Sequence, residues 1–116
     1  MKVILTRDSV AMGDDVDAPH EQRREFPDGL AAVEVITAVV ADGYLPPIAG
    51  GRAVWVVVSG ADRSLAVVAQ EWAEPRPLTD GWGDALPDEG SPVRLHFRYL
   101  AQEDPEAVHG RLRAKS

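Results

Sequence analysis

Chemistry in this chain would have to begin at His96, the one histidine set in a patterned run of residues. From Val93 to Ala101 the side chains alternate, so that Val93, Leu95, Phe97 and Tyr99 point one way and Arg94, His96 and Arg98 the other. An imidazole between two guanidinium groups could hold an anion, and with Tyr44 the same row could furnish the polar groups of a small-ligand pocket. General-base catalysis asks for more: a carboxylate that orients the ring, and none stands beside His96 in the chain. The row is therefore expected to be a solvated strand face, or a face that pairs with an acidic loop.

Asp14, Asp15 and Asp17, followed by His20, come nearest to a metal-ligating pattern. Hard cations favour several carboxylate oxygens on one loop, but the spacing does not match a calcium loop with its closing glutamate. A solvated turn is expected there, and no metal. Gly50-Gly51 precedes a strand, whereas phosphate loops aim their amides at the start of a helix. Ser59, Ser64 and Ser91 have no nucleophile-elbow motif around them. There are no cysteines, so a thiol nucleophile, a disulfide and a thiolate zinc site are all excluded. No cofactor is expected.

Trp82 is the residue that packing explains least. It sits as Gly81-Trp82-Gly83 between Asp80 and Asp84, in a stretch from Ala73 to Pro92 that has four prolines, three glycines and no periodicity. A loop of that length in a small domain is usually functional. The ring either folds back over the sheet as a lid or is offered to a partner as an anchor. Trp55 and Trp72 fall in strand-like runs and are expected in the core.

The elements that must carry these residues follow from hydrophobic spacing. Lys2 to Thr6 reads as a strand, and His20 to Phe26 as a charged edge strand. Asp28 is the expected N-cap of a helix of about fourteen residues, with Ala32, Val33, Ile36, Val39 and Val40 on its apolar face. Gly43 would close that helix in a left-handed conformation. Ala53 to Ser59 and Ser64 to Trp72 form an expected antiparallel hairpin. Its first arm is apolar on both faces, so each face must be covered. Asp104 followed by Pro105 predicts a short closing helix to about Arg113. His109, within it, is expected at the surface.

The order β-β-α-β-β-β resembles that of the β-grasp, the ubiquitin-like arrangement of a helix across one mixed sheet. Within that likeness, the sulfur-carrier branch implies a carboxy-terminal Gly-Gly, and this chain ends Arg113-Ala114-Lys115-Ser116. The ferredoxin branch implies cysteines. The expected fold is thus α+β: a single domain over residues 1–116 with one main helix packed across a single mixed sheet.

Composition narrows the function classes. At 116 residues the chain has room for one core, and its 45% hydrophobic and 27% charged residues are those of a globular protein. The first residues are too weakly apolar for a signal peptide, and Ala53 to Val58 is too short to span a bilayer. The formal net charge is −7, the wrong sign for displacing counterions from nucleic acid. No nucleic-acid or membrane partner is expected, and the expected location is the cytoplasm. The profile resembles that of immunity proteins, the small acidic inhibitors of toxic nucleases, a likeness of composition. The leading expectation is a non-enzymatic, protein-binding domain that neutralises a basic partner through Trp82, Asp80, Asp84, Asp88 and Glu89. The alternative is a small enzyme or small-molecule binder. Its pocket would lie between the sheet, the 44–51 loop and the 73–92 loop, using Arg94, His96, Arg98 and Tyr44.

Overall fold

The computed structural model describes residues 2–8, 20–27, 29–45, 53–59, 64–70, 72, 74–78, 93–100 and 104–114. They form an α+β fold with one mixed six-stranded sheet. Along the chain run β1 (Lys2–Arg7), β2 (Gln22–Glu25), α1 (Ala32–Ala41), β3 (Val54–Ser59), β4 (Ser64–Ala69), β5 (Arg76–Pro77), β6 (Val93–Tyr99) and α2 (Pro105–Ala114). The strand order is β2-β1-β6-β3-β4-β5, and β1 and β6 pair in parallel while the other neighbours are antiparallel. Strands from near the two ends of the chain therefore meet inside the sheet. The expected β-grasp-like order of elements and a helix laid across one mixed sheet are both present.

The β3–β4 hairpin lies inside the sheet, and its apolar residues serve two cores. Trp55 and Val57 face α1, packing with Val35, Ile36 and Val39 of the helix and with Leu5, Leu95 and Phe97 of β1 and β6. Val54, Val56 and Val58 face the other side, with Leu78 and with Val108 of α2. Every residue from Val54 to Val58 is at most 9% exposed. Fully burying one such side chain contributes on the order of 1.5–3 kcal/mol, so the hairpin anchors both layers.

Helix α1 departs from its sequence reading in three ways. It is ten residues long, and its N-cap is Ala31, not Asp28. Gly29 takes a φ of +87° just before it, and Ala31 has no side chain to cap with. The Glu34 carboxylate instead accepts a hydrogen bond from the Ala31 amide at 3.1 Å. The buried face is Ala32, Val35, Ile36 and Val39, while Val33 and Val40 are only half-buried. Gly43, with φ +82°, ends the helix as expected and donates to the Val40 carbonyl.

Two other elements complete the frame. The stretch read as aperiodic contains a two-residue strand, Arg76–Pro77, on the β4 edge of the sheet, where a proline is tolerated. Asp104 and Pro105 start α2 as expected, with Asp104 Oδ1 accepting from the Glu106 amide at 3.3 Å.

Candidate functional site

The parallel register of β1 and β6 sets Thr6 opposite His96 and Ile4 opposite Arg94. Thr6 Oγ1 lies 2.7 Å from His96 Nδ1. The other ring nitrogen, Nε2, lies 2.8 Å from Asp8 Oδ1. Asp8 is itself fixed: its Oδ2 accepts from the Tyr99 amide at 3.0 Å, and its own amide donates to the Phe97 carbonyl at 3.0 Å. A carboxylate accepts, so Nε2 is the donor to Asp8, while Nδ1 and the Thr6 hydroxyl share the second hydrogen bond. The oriented imidazole that the sequence seemed to lack is thus present, its carboxylate coming from 88 residues away. The signal was legible only through the strand pairing. Thr6 and Asp8 share one face of β1, and a parallel β1–β6 pair sets that face beside His96.

Beside this row is a cleft of about 90 Å³ lined by Ile4, Thr6, Val58, Ser59, Arg94, Leu95 and His96. Helix α2 covers the same side of the sheet where it packs against β4. Arg94 and Arg98 are exposed, and neither has an ion-pair partner among the described residues.

Tyr44 is not gathered with these groups. It is buried on the α1 side, edge-on to Phe97 with ring centroids 5.7 Å apart. Its hydroxyl donates to the His20 carbonyl at 2.8 Å, and His20 holds a φ of 57°. Burial pushes the Tyr44 phenol up to about 12, against the smaller opposing pull of Arg7 and Arg24. Arg7, His20, Glu21, Gln22 and Tyr44 border a cavity of about 330 Å³.

A further cavity, about 210 Å³, lies on the α1 side between Val40, Leu45, Trp55, Val68, Ala69, Gln70 and Trp72. It touches the sheet and the start of the 44–51 segment, on the face opposite His96. Trp55 is buried as expected. Trp72 is half-buried beyond the end of β4, with the Arg76 guanidinium 3.9 Å from its ring centroid. His109, expected at the surface, is half-buried edge-on to Trp72, and its Nε2 lies 2.9 Å from the Pro77 carbonyl. That bond and the Arg76–Glu106 ion pair at 3.3 Å tie β5 to α2.

Trp82, Asp80, Asp84, Asp88 and Glu89 lie outside the described residues, as do Asp14, Asp15 and Asp17. No helix among the described residues is long and apolar enough to cross a membrane. Compared with protein-family models, curated proteins and solved structures, the chain matches none.

Proposed function

We propose that this chain is a non-enzymatic, cytoplasmic protein-binding domain that engages a basic protein, acting as an inhibitor of the immunity type. The observation that carries the reading is in the sequence: a formal net charge of −7, with Asp80, Asp84, Asp88 and Glu89 crowded about Trp82. A net negative charge of this kind raises the encounter rate with a basic surface.

Trp82, between two glycines, supplies the apolar anchor, and Asp80, Asp84, Asp88 and Glu89 supply the field around it. Affinity-tagged chain, incubated with extract of the cell it comes from at low and high salt, tests this. A basic protein retained in stoichiometric amount at low salt and released at high salt is the expected result. Retention of no basic protein at either salt concentration would overturn it.

A further inference from the structure

We infer that the cavity beside Trp55, on the α1 side of the β3–β4 hairpin, binds a neutral single-ring aromatic molecule that carries one hydrogen-bond acceptor. The site stands apart from the partner-binding proposal. Its volume is about 210 Å³, and its walls come from three parts of the chain. Trp55 and Val68 face each other directly across the hairpin and belong to the α1-side core. Val40, in the last turn of α1, and Leu45, just beyond the helix, pack against the same core. Trp72, past the end of β4, closes the rim. It is steadied there by the Arg76 guanidinium 3.9 Å from its ring centroid and by His109 edge-on.

The lining selects the ligand. No charged side chain among the described residues borders the cavity, so an ion inside it would lose hydration without meeting a counter-charge. Two of the walls are indoles, which favour offset or edge contacts with another ring. Tyr99 covers one side of the Trp55 ring, with centroids 4.9 Å apart, and the cavity lies on the Val68 side. Trp55 is 1% exposed, yet its indole N–H meets no acceptor among the described residues. An indole N–H in the interior ordinarily has a partner, and leaving it unpaired is unfavourable, so an acceptor brought by a ligand removes that cost. The Gln70 carbonyl oxygen already accepts from the Ala53 amide at 3.4 Å. The size fits as well. An apolar cavity of about 150 Å³ takes up benzene, so about 210 Å³ admits one ring with a short substituent.

The test is an NMR titration of the intact chain with acetophenone, with ethylbenzene, which has a similar shape without the oxygen, and with benzoate, which is charged. Acetophenone should give saturable shifts at the Trp55 indole N–H and the Leu45 and Val68 methyls, with a midpoint below about 5 mM. Ethylbenzene should bind at least about threefold more weakly, for want of the hydrogen bond, and benzoate at least about tenfold more weakly. Val40→Phe fills the cavity from a half-buried helix position and should abolish saturation, and Leu45→Trp, filling it from the other wall, should do the same. Val33→Phe, also half-buried on α1 but outside the lining, should change the midpoint by less than about twofold. The assignment is overturned if acetophenone fails to saturate, if ethylbenzene or benzoate binds as tightly, or if a folded Val40→Phe or Leu45→Trp binds as the wild type does.

Discussion

Asp8, just past the end of β1, holds the ring of His96 on β6, with Oδ1 accepting from Nε2 at 2.8 Å while Oδ2 accepts from the Tyr99 amide. One carboxylate thus clamps the parallel strand pair at a side chain and at the backbone. On the far side of the ring Thr6 completes the row at 2.7 Å.

The three residues should therefore behave as a unit. Asp8→Asn and Thr6→Val are each expected to cost about 1 kcal/mol in urea unfolding, the scale of a partly exposed hydrogen bond. Combined, they should depart from additivity by about 0.5 kcal/mol or more, because both act through one imidazole. Strict additivity would mean that the ring does not couple them.

The packing of α1 makes a second prediction. Ile36→Ala, at a fully buried position, should destabilise the fold by about 2–5 kcal/mol. Val35→Ala should cost clearly more than Val33→Ala, since Val35 is buried and Val33 is only half-buried. A loss below about 0.5 kcal/mol at Ile36, or the reverse order at the two valines, would contradict the observed helix face.

Alkaline pH gives a third. Burial raises the folded-state phenol of Tyr44 to about 12, above its ordinary value of 10.0. Between those values the unfolded chain releases a proton that the folded chain retains, so the Tyr44 contribution to stability is full below pH 10 and lost as pH rises through 12. Tyr44→Phe should start less stable by about 1 kcal/mol, for its lost bond to the His20 carbonyl. Its deficit against the wild type should then shrink from pH 10 to 12, as followed by denaturant midpoints. A constant deficit would show that the phenol is not held neutral.

How far the sequence led can be traced residue by residue. The β3–β4 hairpin was legible because apolar residues on both faces of Val54 to Val58 demand cover on both sides, and the two cores supply it. The α1 cap was misread because Asp28 has the right chemistry, whereas the chain turns at Gly29 and Glu34 reaches back to do the capping. Val35 escaped notice because a helix laid flat on a sheet buries a wider arc than the strictest apolar stripe. Asp8 was invisible for a different reason. Its meeting with His96 depends on a parallel pairing of distant strands, a nonlocal event that no local spacing encodes. His109 likewise gained its place from α2 docking over β5, through Trp72 and the Pro77 carbonyl.

The partner-binding account is tested most directly by the affinity of the captured basic protein for wild-type chain and for Trp82→Ala, measured by calorimetry with folding checked by circular dichroism. The account predicts that Trp82→Ala stays folded and binds weaker by about 2 kcal/mol or more, the scale of an interface hot spot. It also predicts that Asp84→Asn with Asp88→Asn mainly slows association and flattens its salt dependence. A folded Trp82→Ala that binds with unchanged affinity would contradict the account, as would one that unfolds while its residual folded fraction binds normally.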